Sequence, residues 1–214
     1  MDMTSSNYIR LCGSLAGKPL YSHSSRSQQF YSFPLEVLRL SGNSDIINII
    51  VRREQLMAVE CAEAGKLCVV GQLRTFNNRH GEGARLVISV FAKEICLCDE
   101  EDSNQVHLCG TLCKEPNLRT TPMGRDICDL MLAVNRHYGR SDYLPCICWG
   151  LRARDAAQWH VGTVLSLEGR IQSRRYIKLT DEGPIEKTAY EVSVNEVELL
   201  PSLPHQAEIC AQNI

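Results

Sequence analysis

The strongest constraint in this 214-residue sequence is that it repeats itself. The segment Asn7-Tyr-Ile-Arg-Leu-Cys-Gly-Ser-Leu15, followed by Pro19, returns 97 positions later as Asn104-Gln-Val-His-Leu-Cys-Gly-Thr-Leu112, followed by Pro116. The pairs Leu35/Leu132, Val37/Val134, Arg39/Arg136, Ser44-Asp45/Ser141-Asp142 and Gly65/Gly162 keep this offset. It then drifts by one at Gly71/Gly169 and by a few more at Glu94/Glu196, as small loop insertions would make it. Self-similarity of this kind means two copies of one fold. The expected division is residues 1–98, an acidic linker at 99–103, residues 104–200 and a short tail at 201–214. The linker, Asp99-Glu-Glu-Asp-Ser103, has no apolar residue and reads as solvated, too short to hold the copies far apart.

Within each copy the pattern is mostly β. In the second, Val106, Leu108, Gly110 and Leu112 alternate with polar or small residues, as in a half-buried strand. Asn117–Asp126 carries turn residues, Leu130, Leu132 and Val134 alternate again, and Tyr143–Trp149 reads as a third strand. Leu151–His160 is the one helix-like run, stopped by Gly162, with Trp159 expected to seal it onto the core. Val164–Tyr176 is a long fourth strand, Thr180–Glu186 a polar loop and Lys187–Leu200 a fifth strand. The first copy has the same order, with Gln55–Ala64 as its helix and Ser22–Ser32 as a flexible loop able to close over a strand. The order β-β-β-α-β-β predicts an all-β chain: two tandem five-stranded Greek-key barrels of the OB type, each with one helix after the third strand.

Composition narrows the function. Lys and Arg number 23 against 25 Asp and Glu, a net charge of −2, and each half of the chain is close to neutral. This excludes a simple polybasic nucleic-acid binder; any such binding must come from local charge and stacking. No apolar run reaches the roughly 18 residues of a membrane span, and Met1–Gly13 lacks the layout of a secretion signal, so a cytoplasmic protein is expected. The 11 cysteines include Cys96/Cys98 and Cys146/Cys148 but no C-x-x-C, so they are read as small buried apolar residues. No nucleophile–base pair, metal triad or phosphate loop is evident, so neither catalysis nor a cofactor is expected.

The second copy resembles the bacterial single-stranded-DNA-binding protein family. The residues carrying the resemblance are Asn104–Leu112, Pro116-Asn-Leu-Arg-Thr-Thr-Pro-Met-Gly124, Leu132-Ala-Val-Asn-Arg136, Cys148-Trp-Gly150 and Leu167-Glu-Gly-Arg-Ile-Gln-Ser-Arg-Arg-Tyr176. The resemblance implies single-stranded DNA lying along the barrel, with bases stacked at Tyr138, Tyr143, Trp149 and Tyr176. Arg119, Arg125, Arg136, Arg140, Arg170, Arg174, Arg175 and Lys178 surround these aromatics and would follow phosphates. Aromatic platforms suit binding of low sequence preference, because every base has a π-face. Taken without the resemblance, Tyr143 and Trp149 lie six residues apart on one strand face, and such a face is more often core than ligand surface.

The first copy keeps the framework and loses the aromatics. Ser41, Ile46 and Arg52 stand where the second has Tyr138, Tyr143 and Trp149, and Phe76 is displaced by about two residues from the Tyr176 position. Either Arg39, Arg52, Arg74, Arg79 and Phe76 bind a strand more weakly, or this barrel serves assembly. The family commonly uses four barrels together, which implies a homodimer here. It also has an acidic C-terminal tip that recruits replication and repair enzymes; residues 201–214 hold one acidic residue, so that route is not expected. The resemblance therefore implies a nucleoid-associated, non-catalytic binder that protects unpaired DNA in replication, recombination or repair. An OB-based adaptor for protein contacts and a single-stranded RNA binder are the alternatives the residues leave open.

Overall fold

The computed structural model describes residues 6–62, 65–78, 86–136, 139–180 and 183–201, with the side chains of 178–180 left undescribed. The first six strands are β1 (Asn7–Leu15), β2 (Leu20–Ser25), β3 (Gln28–Leu38), β4 (Ser44–Arg52), β5 (Lys66–Asn77) and β6 (Leu86–Cys98). A single 3-10 turn (Arg53–Gln55) and a short helix α1 (Leu56–Glu60) separate β4 from β5. The second set is β7 (Ser103–Leu112), β8 (Asn117–Thr120), β9 (Asp126–Asn135), β10 (Ser141–Trp149), β11 (Val164–Thr180) and β12 (Gly183–Leu199), with α2 (Leu151–Ala156) after β10. Strict alternation makes these strands. In β4, Asp45, Ile47, Ile49 and Val51 are buried while Ser44, Ile46, Asn48, Ile50 and Arg52 face outward.

Each set closes on itself in the order β1–β5–β6–β4–β3 and back to β1, and β7–β11–β12–β10–β9 and back to β7. The β4–β6 and β10–β12 pairs are parallel and the remaining pairs antiparallel, so each set is a five-stranded OB barrel. Closure requires β1 and β7 to leave one neighbour and meet another within two residues. Glycine sits at that corner in both: a Cβ on Gly13 would lie 2.2 Å from the Glu36 carbonyl oxygen, and one on Gly110 2.5 Å from that of Ala133. The helices cap the barrels through Val59 in the first and Ala153 and Ala156 in the second, and Trp159 packs against the second core as its place in the sequence suggests.

The two barrels share one 12-stranded sheet. β1 runs antiparallel to β7 from Asn7 opposite Leu108 to Cys12 opposite Ser103. Its central pair is Ile9 with Val106, which are equivalent residues of the repeat, so the barrels are related by a local pseudo-two-fold axis. On either side of this axis a carboxylate crosses between barrels. Asp45 accepts hydrogen bonds from the Ser173 backbone N–H (2.6 Å) and hydroxyl (2.9 Å), and from Arg39 Nε (2.7 Å) and Nη2 (2.5 Å). Its equivalent Asp142 accepts from the Thr75 N–H (2.6 Å) and hydroxyl (3.3 Å), from Arg136 Nε (2.7 Å) and Nη2, and from Arg74 Nη1 (3.1 Å). Arg39 Nη2 also donates to the Ser173 carbonyl (3.1 Å) and Arg136 Nη2 to that of Thr75 (3.0 Å). Both carboxylates are fully buried. A third matched pair lies within the barrels, where the Asn7 and Asn104 side-chain amides bond both backbone groups of Leu73 and Ile171.

Several expectations need correction. Ser22–Ser32 is a hairpin, not a loop: β2 and β3 meet at a two-residue turn whose Arg26 and Ser27 take φ of 49° and 65°. Thr180–Glu186 is mostly strand, with Thr180 paired to Gly183 at the end of a long β11–β12 ribbon. Its polar residues are compatible with a ribbon solvated on both faces, which is why composition misreads it as loop. Asn117–Asp126 contains the short strand β8 before its turn, and the helix of the second barrel ends at Ala156. The acidic connection is exposed at Asp99, Glu100 and Glu101, and it also carries contacts that its composition does not announce. Glu100 pairs with Arg10 (2.6 Å), and Asp102 bonds Lys66 (2.7 Å) and the Leu38 N–H (2.6 Å), which fastens it to the first barrel. Among the described residues no helix is long and apolar enough to cross a membrane.

Burial pushes the Asp45 carboxyl up, but the Arg39 and Ser173 hydrogen bonds outweigh it and hold the group below the ordinary carboxylate value. A depressed folded-state pKa stabilises the protein above the unfolded value, about 4, and that contribution disappears as pH falls through the folded one. Replacing Asp45 by Ala should therefore cost about 3 kcal/mol in urea unfolding at pH 7, because Arg39 loses its partner in a half-buried site. The gap from wild type should narrow steadily when the same titration is repeated below about pH 4.

Candidate nucleic-acid interface

β10 presents the aromatic surface. Period two turns Asp142, Leu144, Cys146 and Cys148 inward, and leaves Tyr143 and Trp149 on the outer face with exposures of 51% and 37%. Trp149 stands opposite Ile127 of β9, and its indole N–H donates to the Ser193 hydroxyl of β12 (3.3 Å), which fixes one ring edge and leaves a face open. An open groove of about 510 Å³ adjoins it, lined by Gly124, Arg125, Asp126, Trp149, Gly150, Leu151 and Arg154. Arg170 shares this row, paired in register with Ser193. Its Nε is buried and has no hydrogen-bond partner among the described residues, a guanidinium nitrogen still short of an acceptor.

The β11–β12 ribbon supplies the rest. Arg174 and Arg175 are exposed and Tyr176 half-buried. The Arg174 guanidinium lies over the Tyr176 ring, 5.8 Å from its centroid, and Arg175 is 3.9 Å from Glu186. Arg125 and Arg140 are exposed at the turns flanking β9. Tyr138 and the Lys178 side chain lie outside the described residues, as does Arg79.

Other predicted cations are engaged elsewhere. Arg136 and Arg39 are committed to Asp142 and Asp45 between the barrels, and Arg74 to Asp142 and Gln72; these three are inter-barrel residues in the structure. Arg119 makes a two-pronged bond to Asp129 (2.6 and 3.0 Å), which neutralises it locally. In the first barrel Phe76 is 51% exposed, and Arg52 covers the Phe91 ring. Ile46 occupies the Tyr143 position, and its carbonyl accepts the Tyr190 hydroxyl (2.7 Å). Sequence reasoning missed Arg154, whose Nε bonds Asp126 (2.6 Å) at the groove floor beside Trp149. That bond and one from Thr120 hold the Asp126 carboxyl below its usual value. The available signal was position alone: Arg154 lies five residues after Trp149, in the last turn of α2.

The cysteines are structural where they are buried. All ten described ones are unbridged, and Cys12, Cys68, Cys128, Cys146 and Cys148 are buried. Burial pushes the Cys68 and Cys148 thiols up to about 12, which leaves them un-ionised and inert at neutral pH. Cys61 and Cys96 differ from expectation, both being exposed.

Two OB barrels in one chain, with an aromatic strand face and an open groove on the second, define a tandem OB-fold protein. The profile described as the single-strand binding protein family matches residues 103–200. "Single-stranded DNA-binding protein B" of Bacillus subtilis is 32% identical over 110 residues, covering 48% of this chain and 95% of that protein. "Single-stranded DNA-binding protein 2" of Listeria innocua is 38% identical over 80 residues, 34% of this chain and 50% of that protein. "Single-stranded DNA-binding protein" of Bacillus cereus is 34% identical over 106 residues, 45% of this chain and 59% of that protein. The chain thus spans only about half the length of several curated relatives it matches. The solved structure of the wild-type single-stranded DNA binding protein from Thermus aquaticus superposes with a TM-score of 0.73 at 23% identity, covering 94% of this chain and 96% of that one. Its likeness extends the shared fold to both barrels. The chain belongs to the single-strand binding protein family.

The different settings of the two tryptophans are directly measurable. With Trp159 replaced by Phe, emission from Trp149 should be red-shifted and readily quenched by acrylamide. With Trp149 replaced by Phe, the remaining Trp159 emission should be bluer and better shielded.

Proposed function

We propose that this protein binds single-stranded DNA with little sequence preference and without catalysis, holding unpaired strands open and shielded. The observation that carries the reading is the outer face of β10, where Tyr143 and Trp149 stand exposed beside a groove bordered by Arg125 and Arg154. Bases would stack on Trp149, Tyr143 and Tyr176, with Tyr138 a fourth platform. Arg125, Arg140, Arg170, Arg174, Arg175 and Lys178 would meet phosphates. Arg119 would contribute only after release from Asp129, since a paired guanidinium offers little net charge to a phosphate. The family relationship supports the same reading, as does the retention of exposed aromatics in a chain only 6% aromatic.

The working unit in this reading is a homodimer, which brings four OB barrels together, with residues 1–98 and 104–200 as the two units of each chain. The second barrel carries most of the affinity. Replication, recombination or repair in the nucleoid is the setting in which such a protein would act.

The test is titration with oligo-dT followed by Trp149 fluorescence. Binding should quench emission, and the affinity should fall with salt by about 0.7 log–log units per phosphate neutralised. Replacing Trp149 or Tyr176 by Ala should weaken binding by about 1–3 kcal/mol each, the range for base–aromatic stacking. Unchanged affinity in both variants would sink the stacking model. Mass photometry should give a dimer; monomer alone would remove the four-barrel assembly.

A further inference from the structure

Three cysteines of the first barrel stand side by side on neighbouring strands. Cys12 of β1 pairs in register with Cys68 of β5, and Cys68 pairs with Cys96 of β6. Directly opposed residues of antiparallel strands share a face, and alternation identifies this one as the outer face. Leu11, Leu67 and Val69, their neighbours in sequence, join the barrel core, whereas Cys12 and Cys68 do not. The second barrel has no such row. There Cys109 pairs with Ser166 and Ser166 with Glu198, at the positions equivalent to Cys12, Cys68 and Cys96. The barrel therefore closes without thiols at the second and third of these positions.

The row runs from solvent to the interior. Cys96 is exposed, Cys68 is 7% exposed and Cys12 is fully buried, its Sγ donating to a Glu100 carboxylate oxygen at 3.9 Å. Cys68 lies between the other two and interacts electrostatically with both. Opposed residues in such a ladder have Cα atoms about 4.5–5.5 Å apart, inside the span of about 4.4–6.8 Å that disulfides bridge. Rotation of two side chains, with little backbone movement, is enough to join Cys68 to Cys96.

We propose that Cys96 and Cys68 form a reversible oxidation site, which takes a peroxide at Cys96 and closes a disulfide across β5 and β6. With hydrogen peroxide the Cys96 sulfur attacks the O–O bond, giving a sulfenic acid, and the leaving oxygen departs as water with the thiol proton. The Cys68 sulfur then attacks that of Cys96. The S–S bond forms, the S–O bond breaks, and the hydroxyl leaves as a second water with the Cys68 proton. Two thiols lose two electrons and one peroxide becomes two waters. Burial makes Cys68 inert towards dissolved reagents and leaves it facing the one sulfur that oxidation makes electrophilic. Cys12 can then displace Cys96 from Cys68 by thiol–disulfide exchange, moving the bond to β1 and β5 and returning a thiol to Cys96. A disulfide with one exposed sulfur is open to reduction by a dissolved thiol, so the change is reversible.

The experiment uses the full chain as wild type, Cys96→Ser and Cys68→Ala, each checked for folding by circular dichroism. Reduced protein is treated with hydrogen peroxide, free thiols are alkylated, and unreduced digests are mapped by mass spectrometry. Wild type should yield linked peptides holding Cys68 and Cys96, and these should separate on treatment with dithiothreitol. In Cys68→Ala the sulfenic acid has no thiol to resolve it, so dimedone labelling of Cys96 should rise severalfold over wild type. In Cys96→Ser both Cys68 and Cys12 should stay reduced. Cys61, exposed at the end of α1 and outside the row, should remain unlinked to Cys68 in every form. Wild-type Cys96 that stops at a sulfenic or sulfinic acid, or joins any sulfur other than that of Cys68, overturns the proposal. So does a Cys12–Cys68 disulfide that forms equally well in Cys96→Ser, because exposure of Cys96 would then play no part. The wild-type map alone decides the first point, whatever the variants do to folding.

Discussion

The antiparallel pairing of β1 with β7 fixes the geometry of everything else, because those two strands are at once barrel walls and the seam between barrels. Both open a copy of the repeat, both bend at a glycine to close their own barrel, and their outer edges meet in antiparallel register. That register centres on Ile9 and Val106 and places Asp45 against Ser173 and Asp142 against Thr75. Two buried carboxylates then cross the seam, each saturated by an arginine of its own barrel and a backbone N–H and hydroxyl of the other. Buried charges are tolerated only when paired and hydrogen-bonded, so the contacts demand this arrangement as well as permit it.

Most of the architecture was legible in the sequence. The 97-residue offset, the strand periodicity and the helix after the third strand lead to tandem OB barrels without a structure in hand. Polar strands were the part that misread. The β2–β3 hairpin and the end of the β11–β12 ribbon are rich in Ser, Gln, Glu and Thr, because neither face of a projecting hairpin has to be apolar. The contacts of the acidic connection were not legible for a related reason: composition reports charge, whereas the partners Arg10 and Lys66 lie far away in sequence.

The candidate site was legible for its aromatics and much less so for its cations. An exposed Tyr or Trp on alternating strand positions has few explanations, but an arginine beside it has several. Arg136 is expected at phosphate and Arg39 at weaker strand contact or assembly, and both are engaged with carboxylates between the barrels. A clue was present in the repeat: Arg39/Arg136 and Asp45/Asp142 are kept in both copies, while the Tyr143 and Trp149 positions are not. Residues shared by both copies belong to what both copies must do, which is to pack on each other. Surface pairing of Arg119, Arg154 and Arg175 with carboxylates also fits a chain whose net charge is only −2.

The short tethered connection between β6 and β7 has a consequence for how the barrels can diverge. Two separate barrels meeting at such a seam would depend on concentration, and identical subunits would have to present identical faces. Joined by residues 99–102 and pinned by Glu100 and Asp102, the second barrel is held at an effective concentration set by a few residues of chain. Docking is then intramolecular. The seam needs to be specific but need not be tight enough to survive dilution, and each outer face is free to change on its own, as Tyr143 and Trp149 have done against Ile46 and Arg52.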